Sequence, residues 1–263
     1  MAVQGSKACV MPGKEPTLSA LVVACNEEHQ IADCLDMLKF ADEIVVVLDK
    51  CTDGTREVAQ AAGARTLAGN WEIEGPRRMA GINACRGDWI LEVDADERVS
   101  RDLAAEIRSA VQDDADACYL IPFENFIGDR LVRYGWGGSW GVSATVRLFR
   151  KGNKTWGNQR IHPAITLQGE RRWLKACMLH HVDRDVSDMI QRLDRYTAAR
   201  AADMRASGST ESFGRNFRRL FTRFFKCYVR RKGYKEGYYG FLIAFFAAIW
   251  PMLAWLKFRL DRD

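Results

Sequence analysis

No Gly-x-Gly-x-x-Gly follows the first apolar run of this 263-residue chain, and no Gly-x-x-x-x-Gly-Lys-Ser/Thr occurs in it. The first absence argues against a dinucleotide enzyme and the second excludes a P-loop nucleotide hydrolase. Eight cysteines are scattered without a Cys-x-x-Cys pair, several inside apolar runs, and read as reduced, buried residues in a cytosolic setting. Residues 1–16 contain no apolar stretch of signal-peptide length, so a short flexible arm is expected there rather than a secretion signal. No internal repeat or low-complexity segment is found. Acid is also missing from one region: between Arg215 and Lys235 there are nine cations and no Asp or Glu. The overall charge of +5 therefore hides a basic tail on a mildly acidic body.

What is present is an alternation of strand and helix patterns. Leu18 to Ala24, Ile44 to Leu48, Trp89 to Val93 and Cys118 to Ile121 are short runs rich in Val, Ile and Leu, as expected of strands buried on both faces. Between them, helices are predicted over Glu28 to Phe40 with Asn26 as N-cap, Thr55 to Ala62, and Arg78 to Cys85. The order predicts an α/β fold with a mostly parallel sheet. After Pro122 the sequence becomes rich in Gly and Trp, with a strand predicted at Thr145 to Arg150 and a helix at Val186 to Met204.

Ligands of open α/β sheets bind beyond the carboxyl ends of the strands. Three predicted strands end there in polar residues: Asn26-Glu27-Glu28, Asp49 to Thr55, and Asp94-Ala-Asp96-Glu97. On an extended chain, residues two apart share a face, so Asp94 and Asp96 can reach one hard cation, Mg²⁺ or Mn²⁺, together with a substrate diphosphate. An isolated Asp-x-Asp can equally be an acidic turn after a strand.

Taken in order over about 80 residues, the three strand ends resemble glycosyltransferase family 2, with its GT-A nucleotide-sugar-binding fold. The resemblance lies in Ser19 to Glu28, Asp42 to Val47 with Thr52-Asp53-Gly54-Thr55, and Gly87 to Glu97. Asn125 to Gly128, Gly135-Trp136, Arg147 to Arg150, His162 and the stretch from Leu179-His180 to Thr197 resemble the branch that adds sugars to lipopolysaccharide core. The resemblance implies a metal-dependent inverting transfer from a nucleotide sugar, a UDP-sugar and glucose being the donor candidates, to a cell-envelope glycolipid. It implies Asp94, Asp96 and His180 around the cation, and Ala24, Asn26, Glu28, Asp49, Asp53, Arg78 and Asp94 around the nucleotide. Asp49 stands four residues before Asp53, where the family usually has its base-recognising Asp five before. Arg78 has the alternative of a helix-surface charge, and His180 that of a structural histidine.

The family pattern breaks at the general base. Related sequences offer a carboxylate after Val-His, whereas this chain reads Ile161-His162-Pro163. His162 and then Glu124 are the candidate substitutes. A polyprenyl-phosphate acceptor, already ionised, would need no base, and a relative that only binds sugar nucleotides is the remaining alternative.

Phe217, Leu220, Phe221, Phe224, Phe225 and Tyr228 recur at helical spacing among the tail cations, which predicts a basic amphipathic helix suited to an anionic membrane surface. The alternative is a helix docked on the core. Gly237 to Leu256 carries no charge over 20 residues, the length of a bilayer span, although an interfacial helix or a homo-oligomer contact is favoured. Nucleic-acid binding by the tail would leave the acidic strand ends unexplained. The chain thus divides into an arm at 1–16, a GT-A domain at 17–205 with a donor half (17–121) and an acceptor half (122–205), and C-terminal helices at 213–263. The expected location is peripheral on the cytoplasmic face of the inner membrane, with a single span left open.

Overall fold

The computed structural model describes residues 15–113, 116–137, 143–158 and 164–261. The expected N-terminal arm lies almost wholly outside the described residues.

Four parallel strands, β1 (Leu18–Ala24), β2 (Glu43–Asp49), β3 (Arg65–Gly69) and β4 (Trp89–Asp94), lie in the order β3-β2-β1-β4. The first crossovers carry α1 (Ile31–Asp36), α2 (Thr55–Ala61) and α3 (Glu74–Ala84). Alternation within the strands sends Leu18, Ala20, Val22, Trp89, Leu91 and Val93 to one face, where Ile31 and Leu35 of α1 cover them. Leu21, Val45, Val47 and Ile90 go to the other face, against Ile82 of α3. Burying each such side chain contributes about 1.5–3 kcal/mol.

The sheet then ceases to be mostly parallel. After β5 (Glu97–Val99) and α4 (Arg101–Gln112), whose N-cap Ser100 accepts from Leu103 N, comes the long β6 (Ala117–Ile127). It pairs antiparallel with β7 (Arg130–Val132) and β8 (Ala144–Arg150), and β8 inserts between β4 and β6. β8 runs opposite to both of its neighbours, so the sheet becomes mixed. β9 (Lys154–Trp156) and β10 (Ile165–Leu167) form a separate ribbon. β11 (Glu170–Trp173) and β12 (Met178–Asp183) then pair parallel with successive parts of β6.

Two sequence expectations change here. β6 does not end at Ile121. Pro122, which has no N–H, falls where the partner on one side changes from β11 to β12, so no ladder bond is lost. Asn26 is not a helix cap: it adopts φ 58°, tolerated by Asn, and its Oδ1 accepts from Thr52 N at 2.8 Å. The helix begins only at Ile31, because Gln30 N and Ile31 N first turn back onto Glu27 O.

The C-terminal helices α6 (Phe213–Phe225) and α7 (Tyr238–Leu260) pack together, and α7 also packs on α5 (Val186–Ala206) of the preceding domain. A π-helical turn at Lys226–Arg230 and a 3-10 turn at Gly233–Glu236 join α6 to α7. Ile243, Ala244 and Ala247 of α7 share a core with Met189 and Leu193 of α5 and with Ile127, Val132 and Trp136. Gly240 lets α7 approach that 3-10 turn, since a Cβ there would stand 1.8 Å from Gly233 O. Buried Glu236 accepts from Arg133 N at 2.9 Å and Tyr134 N at 3.0 Å, tying the extension to the end of β7. Glu211 ties its helices together, receiving Arg219 at 2.7 Å and, through its carbonyl, Trp255 Nε1 at 2.8 Å.

Candidate active site

The polar ends of β1, β2 and β4 meet at one edge of the sheet, and two distinct networks form there. In the first, the loops after β1 and β2 are stitched together. Glu28 Oε2 accepts from Gly54 N at 2.6 Å, and Asp53 Oδ2 accepts from Glu28 N at 3.1 Å. Thr55 Oγ1 donates to Asp53 Oδ1 and accepts from Glu27 N. Asp49 is buried, receiving Arg77 Nη1 at 2.8 Å and Trp71 N at 3.1 Å. Ala24 is buried at the same edge, and its carbonyl accepts from the Cys51 thiol. Glu28 and Asp53 thus spend hydrogen bonds on loop shape.

The second network surrounds Asp94. Arg78 Nη1 reaches its Oδ1 at 2.9 Å and Arg147 Nη2 its Oδ2 at 2.6 Å; Arg147 also contacts Glu97. Burial opposes charge on Asp94, but Arg147 and Arg78 hold its carboxyl far below the usual carboxylate range. Burial pushes the Glu97 carboxyl up to about 7 against the pull of Arg147, and the charges of Asp94 and Asp96 add to the rise.

The chain turns at Ala95–Asp96, so the extended geometry that would aim Asp94 and Asp96 the same way does not persist beyond β4. Asp96 instead meets His180, Oδ2 to Nε2 at 3.5 Å. One ligand atom each from Asp96, Glu97 and His180 lies within 4.8 Å of the others. Asp94, with both oxygens on arginines, stands beside this group. Burial would lower the His180 imidazole, yet the Asp96 carboxylate overrides it and raises the pKa. His180 Nδ1–H donates to Asn125 Oδ1 at 2.8 Å, which leaves Nε2 facing the two carboxylates. Asp96, Glu97 and His180, two carboxylates and an imidazole, would suit a divalent cation such as Mn²⁺.

Glu97, Arg147 and Asn125 stand in motifs of the sequence, but spacing alone gives none of them a place around the cation group. Glu97 adjoins the Asp-x-Asp pair, but its burial follows from the short strand β5 pairing with β12. Arg147 and Asn125 come from β8 and β6, more than 25 residues from the motif, and only sheet topology brings them near. Glu124 lies elsewhere, on the wall of a cavity of about 770 Å³ shared by β6, β7 and the turn after α6. His162 lies outside the described residues.

The strand order, the acidic end of β4 and the antiparallel β8 define a GT-A-like α/β fold, the class of nucleotide-sugar transferases. The chain belongs to glycosyl transferase family 2, whose profile matches residues 19–169, and it is a glycosyltransferase. An uncharacterized glycosyltransferase of Rickettsia typhi is 24% identical, covering 92% of this chain and 86% of its own. A lipopolysaccharide core biosynthesis glycosyltransferase, LpsC, of Rhizobium meliloti is 25% identical, covering 91% of each. Among solved structures, the Mycobacterium tuberculosis glucosyl-3-phosphoglycerate synthase, in complex with Mn²⁺, UDP-glucose and phosphoglyceric acid, is 22% identical. It aligns over 42% of this chain and 44% of its own, with a TM-score of 0.36.

Proposed function

We propose that the protein transfers a sugar, with inversion, from a UDP-sugar such as UDP-glucose to a cell-envelope glycolipid of the lipopolysaccharide-core kind. The observation that carries this reading is the Asp96, Glu97 and His180 group at the end of β4, beside an Asp94 fixed by two arginines. The name of the Rhizobium meliloti relative supports the acceptor class.

In this reading residues 17–121 hold the donor, 122–205 contribute the acceptor side, and 213–263 attach the enzyme to its lipid phase. Asn26, Asp49 and Ala24 frame the nucleotide at the β1 and β2 ends, with Glu28 and Asp53 setting the loop that covers it. Arg78 and Asp94 face its ribose and phosphates. Asp96, Glu97 and His180 would hold Mg²⁺ or Mn²⁺, which as a Lewis acid supplies charge stabilisation for the departing diphosphate. Glu124, on the cavity wall and 3.8 Å from Arg133, takes the acceptor proton on its carboxylate oxygen.

The extension supports a peripheral attachment to the inner membrane. Phe213, Phe217, Phe221 and Phe225 form a stripe along α6, each about half exposed or more. Exposed Arg215, Arg218 and Lys226 lie on the same helix and the turn that follows it. α7 is long and apolar enough to cross a membrane, but one of its faces is buried against α5 and α6. Only Tyr238, Phe241 and Phe245 on its open side extend the aromatic surface. Calorimetric titration of the full chain with UDP-, GDP- and ADP-sugars in Mn²⁺ tests the donor. UDP-sugars should bind at least tenfold more tightly than the others; equal binding of all three would contradict the reading.

A further inference from the structure

The cavity that holds Glu124 is separate from the β1 and β2 edge but shares a wall with the cation group. Phe123 and Asn125 line it, and both also touch His180, through a ring contact at 5.6 Å and the bond at 2.8 Å. A ligand seated there lies next to the site where a donor diphosphate would be held. Its volume of about 770 Å³ is that of a small-molecule site.

Its charge is one-sided. Among the described residues, Arg133, Arg230, Arg231 and Lys232 line it against one carboxylate, Glu124. Arg231 is committed to the wall: its Nη1 donates to Trp136 O at 2.7 Å, in space that a side chain at Gly137 would fill. Arg133 reaches Glu124 only at 3.8 Å. Arg230 and Lys232 have no carboxylate partner among the described residues, and both are exposed to the cavity and solvent. Three cations converging on a concave surface favour a multiply charged anion, and guanidinium groups match phosphate oxygens in pairs.

Arg133 directly follows β7, and Arg230 and Lys232 lie in the turn that leaves α6. The segment carrying the exposed aromatic stripe therefore also supplies two of the charges on the cavity wall. We infer that this cavity takes an acceptor bearing a phosphate group, which Arg133, Arg230 and Lys232 bind. Calling the ligand an acceptor rests on the transferase reading above; the recognition of phosphate rests on the cavity alone.

Octyl phosphate, inorganic phosphate and octanoate, each titrated calorimetrically into the full chain, test it. Octyl phosphate should bind at least tenfold more tightly than octanoate, and Arg133→Gln with Arg230→Gln should weaken it at least tenfold without lowering the thermal midpoint. A preference for octyl phosphate over inorganic phosphate marks a lipid-borne group, and equal affinity marks a soluble phosphorylated acceptor; either supports the assignment. Equal binding of octanoate, or an affinity in the folded double variant within twofold of the wild type, would overturn it. Should that variant lose its fold, Lys232→Gln alone is held to the same criterion, with a threefold loss expected. UDP binding by the wild-type chain reports separately on the donor reading, so the two can fail independently.

Discussion

Asn125 fixes His180 from the side opposite Asp96: Oδ1 receives the Nδ1 proton at 2.8 Å while Nε2 stands 3.5 Å from Asp96 Oδ2. A residue on β6 thereby sets which nitrogen of a β12 histidine is offered to the carboxylates at the end of β4. Removing such an outer partner typically costs about 10–100-fold in metal affinity. Asn125→Ala should lower Mn²⁺ affinity by that factor in a paramagnetic-resonance titration; an unchanged affinity would show that His180 needs no such support.

A buried ion pair joins the ribbon strand β9 to β4. Lys154 Nζ contacts Glu92, donates to Val146 O at 3.0 Å, and is almost wholly enclosed together with its partner. Breaking such a pair from one side leaves an uncompensated charge, costing about 3–5 kcal/mol. Lys154→Met should destabilise the fold by that amount in urea, and adding Glu92→Leu should recover most of it. A double variant no better than the single one would contradict this.

Asp42 gives the stability a pH dependence. The Arg108 guanidinium, followed by the Leu18 N–H at 2.7 Å, outweighs burial and holds its carboxyl below the usual carboxylate range. A depressed folded-state value means that this contribution is complete above the unfolded carboxylate pKa of about 4 and is lost as pH falls through the lower folded value. Asp42→Asn should therefore lower the thermal midpoint at pH 7 but converge with the wild type as the pH is brought well below 4. Parallel curves across that range would exclude Asp42 as a source of the dependence.

Phe217 and Phe221 meet edge to face at 5.4 Å on the open side of α6. If this face enters the headgroup region, Phe217→Ser with Phe221→Ser should reduce co-sedimentation with phosphatidylglycerol vesicles about tenfold or more, as expected for two lost apolar side chains. Binding to the wild type should also fall with added salt. Equal binding of the two proteins would remove the membrane role of the stripe.

The polar edge at the ends of β1, β2 and β4 is legible in the sequence because strands buried on both faces are continuous apolar runs, and because these three each stop abruptly in polar residues. β3 escaped: Arg65-Thr-Leu-Ala-Gly69 is an edge strand with only partly buried side chains and gives neither a run nor an alternation. The tail helix was legible from its spacing, but spacing could not divide its aromatic residues. Phe224 and Tyr228 turn onto Phe241 of α7, while Phe217 and Phe221 stay open. The site was half legible. Sequence places Asp94, Asp96 and His180 around one cation, but the turn at Ala95–Asp96, the two-arginine clamp on Asp94 and the entry of Glu97 depend on strand pairings that no local pattern encodes.

UDP affinity of the full chain, measured with Mn²⁺ and again after chelation, bears most directly on the site at the end of β4. If Asp96, Glu97 and His180 hold a cation that meets the diphosphate, chelation and Asp96→Ala should each weaken UDP at least tenfold, with Mn²⁺ no longer helping the variant. UDP binding equally well with and without Mn²⁺, or undiminished in the folded variant, would contradict the account.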